Sequence, residues 1–340
     1  MKALFATGRR DQPLVWETVE APEIIEPTDV IIRPMAVAAC DLDRAIVQGR
    51  SPFPGSFMLG HEFTGEIIAV GDDVKNFGRG DIVLASFQPS CGTCPHCVRK
   101  HSSVCGSVPI GTMYGIGQTG GDWGGALAEA LRVPWAGHNL AKLSDEKDFA
   151  RVASASDNLA DGLRAVDGPL QRNPNANVLI AGSGSIPLYA ALCAAHFGAE
   201  AISIASDDQF VLDSAEALGA TALPVTKWPK RFSDHDITVD CTNSVEGLTA
   251  VLKSTTPYGE STSCSIFFGG EIPVPMFNLN MRGIAFHTGR VNSASNLERV
   301  LGLVAEGLDP ERINPAYCSF EEAIDALASE PFSRKVIACS

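Results

Sequence analysis

The chain has no long apolar run: nothing in its 340 residues approaches the ~20 consecutive apolar positions a membrane-spanning helix needs. The N-terminus, Met1-Lys2-Ala3-Leu4-Phe5-Ala6, lacks the extended apolar stretch and cleavage site of a secretory leader, so a cytoplasmic protein is expected. Basic residues are in deficit. Lys and Arg number 26 against 40 Asp and Glu, a net charge of −14, which argues against nucleic acid or an anionic membrane as partner. Internal repeats and low-complexity tracts are missing too. With 45% hydrophobic residues and Gly and Pro spread throughout, the composition is that of an α/β protein, long enough for about two domains.

Cysteine is present in quantity, with ten residues. In a reducing cytoplasm, clustered cysteines signal metal more often than disulfide. Cys91, Cys94, Cys97 and Cys105 lie on one short stretch, and four thiolates close a tetrahedral shell. A structural zinc is the expectation, with a four-iron cluster as the metal alternative. His96 and His101 fall in the same loop and read as surface residues, because the shell is already full.

A second pairing is more open. Cys40 precedes Gly60-His61-Glu62 at a distance that lets a thiolate and an imidazole meet in the fold, with a carboxylate beside the imidazole. Such a pair suits a catalytic zinc, which takes three protein ligands and leaves a position free. Asp43 is the expected carboxylate partner for the other ring nitrogen of His61. The structural alternative is a buried Cys and a satisfied core His.

The first 150 residues read as short strands: Met1–Ala6, Val30–Cys40, Gly65–Val70 and Asp81–Phe87, separated by Pro- and Gly-rich turns. Antiparallel strands of this kind suit a small barrel. Gly111–Gly125, with Met113 and Trp123, is expected as a loop near a cleft, although Trp123 equally suits the edge of a core.

The pattern then changes. Val178-Leu179-Ile180-Ala181 leads into Gly182-Ser183-Gly184 and a helical run, Leu188–Phe197. Strand, glycine turn and helix together are the context of a dinucleotide site. Gly182 permits the turn, Gly184 lets a pyrophosphate approach, and the N-terminus of the following helix supplies N–H donors, with Ser185 and Ile186 as further candidate cofactor contacts. Pro187 stands at the third glycine position. The next strand ends at Ser206-Asp207-Asp208, where a carboxylate would bind ribose hydroxyls and repel a 2′-phosphate, favouring NAD over NADP. Further alternation, Thr238–Cys241, Val245–Lys253 and Ser261–Phe268, predicts a doubly wound parallel sheet. The tail is read as two helices, Asn296–Glu306 and Phe320–Ala328, and a last strand, Lys335–Cys339.

In this order, Cys40…Gly60-His61-Glu62, the four-cysteine lobe and Gly182-x-Gly184 resemble the zinc-containing medium-chain dehydrogenase/reductase family, the alcohol dehydrogenase type. The resemblance covers essentially the whole chain, and His287-Thr288-Gly289-Arg290 looks like the family's return segment. It implies a GroES-like β-barrel catalytic domain (1–150 and 287–340, with a structural zinc lobe at 91–105) and a Rossmann cofactor domain (151–286). It also implies two zincs per chain, a small alcohol or carbonyl substrate, and a homo-oligomer, dimer or tetramer. The third catalytic ligand is then expected at Asp157, with Asp161 the weaker choice, and Glu62 becomes the acidic neighbour of the ligand His. Phe87 matches a pocket-wall aromatic. One departure stands out: Leu42 and Ala45 replace the hydroxyl and imidazole that relay a proton in family members. Either Asp41 or water then moves the proton, or the enzyme reduces C=C, C=N or a specialised carbonyl. A cofactor-binding redox sensor is the non-enzymatic reading.

Overall fold

A computed structural model describes residues 1–49, 53–268 and 270–340. Two large sheets organise it. The first has seven strands. Its path runs Ala316–Ser319, Val336–Cys339, Val30–Ala39, Glu62–Val70, Ile82–Ala85 and Leu140–Lys142, with Leu131–Val133 also pairing to Val30–Ala39. Pairing is antiparallel except between Ala316–Ser319 and Val336–Cys339. Both ends of the chain therefore contribute to one sheet. A smaller sheet joins Lys2–Ala6 to Leu14–Thr18 and Phe57–Met58.

The second large sheet is wholly parallel, in the order Thr221–Pro224, Ala201–Ser206, Asn177–Gly182, His235–Cys241, Thr255–Ser263, Ala285–His287. Its central strands, Asn177–Gly182 and His235–Cys241, are buried on both faces, as expected inside a parallel sheet. Val178 and Ile180 face one core, with the helices Asn158–Arg172 and Ser185–His196, while Leu179 and Ala181 face another with Val251. This is the doubly wound arrangement, and the strand order reverses beside Asn177–Gly182.

Several boundaries differ from expectation. The strand read from Gly65 begins at Glu62, so His61 stands at its entrance. The strand expected over Ser261–Phe268 spans Thr255–Ser263 instead. Pro257 and Gly259 resemble a loop, but a register shift between the pairs His235↔Thr255 and Ile237↔Glu260 absorbs them. The helix expected from Leu188 opens at Ser185, with Pro187 tolerated in its first turn. The shorter tail helix is Ala323–Ser329. No helix among the described residues is long and apolar enough to cross a membrane.

Candidate active site

Sheet register places the first cluster. In the antiparallel pair, Ala38 faces Glu62. Two steps past that pair, Cys40 and Gly60 come opposite each other, with His61 between. On the other side of the same central strand, Val336 faces Ala39, so Lys335 falls beside Cys40. Three neighbouring strands thus end in a thiol, an imidazole-carboxylate pair and an ammonium.

Cys40 then caps the short helix Asp41–Val47. Its Sγ accepts from the Leu42 N–H at 3.3 Å, and Asp43 accepts the Cys40 N–H at 2.8 Å. Asp43 Oδ1 also lies 3.6 Å from His61 Nδ1, where the expected orienting carboxylate belongs. The opposite nitrogen, Nε2, is 3.3 Å from Asp157 Oδ2. Asp157 sits at the N-cap of Asn158–Arg172 but makes no side-chain cap bond; its Oδ2 accepts from Asn158 Nδ2 at 3.1 Å and faces the imidazole. Ligand atoms of Cys40, His61, Glu62 and Asp157 all lie within 4.8 Å of one another. Asp161, one turn further on, is taken instead by an ion pair with Arg164.

The electrostatics call for a cation. Burial and the charge of Asp43 push the Cys40 thiol up to about 12. Burial would lower the pKa of His61, but the charges of Asp43 and Cys40, with the Asp157 carboxylate close by, hold it well above its ordinary value. Neither ring nitrogen makes a hydrogen bond among the described residues, although both are buried. A thiolate, an imidazole and carboxylates around one point, with orphaned nitrogens, fit a borderline-soft ion such as zinc.

Glu62 does not stand free beside this group. It is fully buried and contacts the Lys335 ammonium, the Ser154 hydroxyl at 2.6 Å and the Asn158 N–H at 3.2 Å. Asn158 Oδ1 accepts from Lys335 at 2.9 Å and from Ser185 at 2.6 Å, linking the cluster to the glycine turn. Lys335 and Asn158 escaped the sequence reading. The alternation of Val336-Ile337-Ala338 marks a strand, but it does not say that the lysine at its start is buried.

Sulfur atoms of Cys91, Cys94, Cys97 and Cys105 form the second cluster, also within 4.8 Å. Backbone N–H groups of Cys94, Gly106 and Ser107 point at the sulfurs, at 3.3 to 3.4 Å. Burial opposes charge on Cys91, yet hydrogen bonds from Ser107, Thr93 and Cys94 bring its pKa down to about 5. The donor set is complete with four thiols, and His96 and His101 are exposed.

At the glycine turn, Gly182 has φ +136°, and a side chain there would collide with the Cys241 carbonyl. Gly184, φ +96°, precedes the helix, and its N–H donates to Ser333 Oγ at 2.8 Å. The Asp41 carboxylate packs against Gly184 and leaves no room for a Cβ. Asp41 is therefore turned to the glycine loop, not into the proposed relay position, and Leu42 supplies apolar packing between the two main cores. Ser185 gives its hydroxyl to Asn158, and Ile186 is half-buried. Ser206, expected at the ribose, is instead fully buried: its Oγ accepts the Asp208 N–H and lies 3.1 Å from Ser183 Oγ. Asp208 caps the following helix, which leaves Asp207, bonded to Ser183 at 2.9 Å, at the strand end.

Phe87 holds its ring 5.8 Å from that of His61 and is itself buried. Trp123 packs instead with Trp135 and beneath Arg132, at the edge of the barrel core.

The chain is similar to several known proteins. A family model, the alcohol dehydrogenase GroES-like domain, matches residues 26–145. The chain is 33% identical over 206 residues to a glutathione-independent formaldehyde dehydrogenase of Pseudomonas aeruginosa, covering 58% of this chain and 51% of that protein. It thus spans about half the length of that relative. It is 26% identical to a zinc-type alcohol dehydrogenase-like protein of Schizosaccharomyces pombe, covering 93% of this chain and 85% of that one. Among solved structures, an alcohol dehydrogenase from Thermus sp. ATN1 superimposes with a TM-score of 0.90 at 27% identity, over 100% of this chain and 99% of that one.

Proposed function

Because the chain belongs to the zinc-containing medium-chain dehydrogenase/reductase family, alcohol dehydrogenase type, we propose that it interconverts an alcohol with an aldehyde or ketone, using NAD(H). The observation that carries this reading is the convergence of Cys40, His61 and Asp157 beside the Asn158–Ser185 link to the glycine turn. In this reading, residues 1–150 and 287–340 form the catalytic domain and 151–286 the cofactor domain.

Cys40, His61 and Asp157 hold the catalytic zinc, and Cys91, Cys94, Cys97 and Cys105 hold a structural one. A zinc held by Cys40, His61 and Asp157 would supply Lewis acidity toward the substrate oxygen, and a nicotinamide cofactor held at the glycine turn would serve as hydride carrier. The protein does the rest by placement. Asp43 fixes the ring of His61, with Nδ1 turned toward the carboxylate. Lys335, Ser154 and Asn158 hold Glu62 at the edge of the ligand group. The helix opening at Ser185 offers its N–H groups to a pyrophosphate. Asp207 supports the preference for NAD, because a carboxylate at the strand end repels a 2′-phosphate.

Zinc counted per chain, with absorbance at the NADH wavelength over a panel of alcohols, tests the reading. Two zincs and NADH formation are expected. Cys40→Ala and His61→Ala should lose turnover and one zinc while still binding NADH; turnover retained in both would sink the zinc mechanism. Leu42 favours a second reading, reduction of C=C or C=N bonds, since it offers no hydroxyl. Activity confined to enones or imines would select it.

Self-association belongs to the same reading. The outer edge of Ala285–His287 pairs with no strand among the described residues, and Met276, Phe277 and Met281 on the preceding helix are exposed. A single monomeric species in light scattering would refute it.

A further inference from the structure

Arg290 follows the last strand of the parallel sheet and is partly buried. Its Nη2 contacts Met113 Sδ at 3.7 Å and donates to Gln88 Oε1 at 3.2 Å, while the Gln88 amide donates to the Val291 carbonyl at 2.9 Å. Its Nη1 is buried and has no hydrogen-bond partner among the described residues. Gln88 and Met113 are themselves buried, and Phe87, next in sequence to Gln88, faces the His61 ring. The guanidinium therefore belongs to the wall that carries the proposed catalytic imidazole.

Its charge is poorly answered. Burial pulls the Arg290 pKa down, and the carboxylates that oppose this are Asp157 and Asp161. Asp161 is already paired with Arg164, and Asp157 belongs to the ligand group with His61. A metal there would consume the Asp157 charge. A partly buried cation with no ion pair among the described residues, and with a buried Nη1 that has no hydrogen-bond partner, is suited to an anion.

We propose that this anion is part of the substrate: a small hydroxy or oxo compound bearing a carboxylate close to the reacting carbon, received by Arg290 Nη1. Only one amino group of the guanidinium is open, because Nη2 is committed to Gln88 and Met113. One carboxylate oxygen satisfies it, and the apolar Phe87 and Met113 keep the remainder of the substrate short. The proposal rests on the dehydrogenase reading and deepens it.

Two measurements on the zinc-loaded, full-length protein keep the two readings apart. The first compares kcat/KM for secondary alcohols ending in a carboxylate with their methyl esters, in the natural protein, Arg290→Lys and Arg290→Gln. The acid-to-ester ratio should fall about 10- to 100-fold in Arg290→Gln, mainly through KM, and recover in part in Arg290→Lys. The second is calorimetric binding of 2-hydroxyisobutyrate, a tertiary alcohol that cannot be oxidised; Arg290→Gln should abolish it with zinc content unchanged. A natural enzyme that ignores the carboxylate would overturn the proposal. So would an Arg290→Gln that weakens NADH binding and leaves the acid KM alone, since the arginine would then serve the cofactor. If 2-hydroxyisobutyrate binds through Arg290 but no alcohol ever reduces the cofactor, the anion site stands and the dehydrogenase reading falls.

Discussion

Replacing Lys335 by methionine isolates the buried pair behind the metal cluster. Lys335 and Glu62 are 2% and 0% exposed. After the substitution Glu62 keeps the Ser154 hydroxyl and the Asn158 N–H, two neutral donors that do not cancel its charge, and the His61 Nε2 at 4.0 Å. Stranding one member of a buried pair costs about 3–5 kcal/mol. At about 2–4 °C per kcal/mol, the midpoint should fall by roughly 6–20 °C. The pH dependence has a definite sign. Burial raises the Glu62 pKa above its ordinary 4.5, with Lys335 opposing, and loss of Lys335 raises it further. A carboxyl whose folded pKa lies above its unfolded value binds more protons when folded. The deficit is therefore smallest below 4.5 and grows as pH rises through the folded pKa. Scanning calorimetry of the natural protein, Lys335→Met, Glu62→Gln and the double variant at several pH values completes the cycle. Glu62→Gln in the Lys335→Met background should restore stability by removing the stranded charge. A single variant within about 1 kcal/mol of the natural protein, or a cycle with no coupling, refutes the argument.

Cys105→Ser should lower zinc by one per chain and reduce thermal stability, because three thiolates leave the shell open; metal analysis and a melting curve check both. Asp157→Ala should lose the catalytic zinc, whereas Asp161→Ala should keep it and lose stability through the unpaired Arg164. Metal content of the two variants, measured side by side, separates them. Gly184→Ala places a side chain at φ +96° and against the Asp41 carboxylate, a strain of about 1–3 kcal/mol. NADH fluorescence titration should show weakened binding, and unchanged affinity would mean that the cofactor does not approach this turn.

What the sequence made legible was local. Four cysteines on one loop, and a glycine turn between a strand and a helix, carry their meaning within about twenty residues. Cys40 and His61 were readable as a pair because their residue types are uncommon together beside a carboxylate. Contacts between remote segments were not readable. Lys335 meets Glu62 across 273 residues of chain, and nothing near Arg334-Lys335-Val336 distinguishes a buried ammonium from an exposed one. Ser206 failed for the opposite reason: the strand end was placed correctly, but whether its hydroxyl faces the crevice or the turn depends on Ser183 and Asp208. Arg290 belongs to a returning segment that is legible in the sequence, yet the environment of its guanidinium exists only once Gln88 and Met113 have closed on it.

The register of one strand, Val30–Ala39, explains why so much chemistry converges on so few residues. Its neighbour on one side brings His61 and Glu62, and its neighbour on the other brings Lys335, each at the strand's last turnable position. A slip of one residue in either pairing would send alternate side chains to the opposite face and separate the cluster. That slip is resisted by apolar packing, since Val37, Phe63 and Ala338 lie in the same barrel core and would have to leave it together. The ligand geometry is thus held by hydrophobic burial several residues away from the polar groups themselves. The polar groups, in turn, add little to the sheet's stability until the charge on the buried carboxylates is answered. By this argument the C-terminal strand is part of the site, not an appendage to the fold, because it supplies the only ammonium that Glu62 contacts among the described residues.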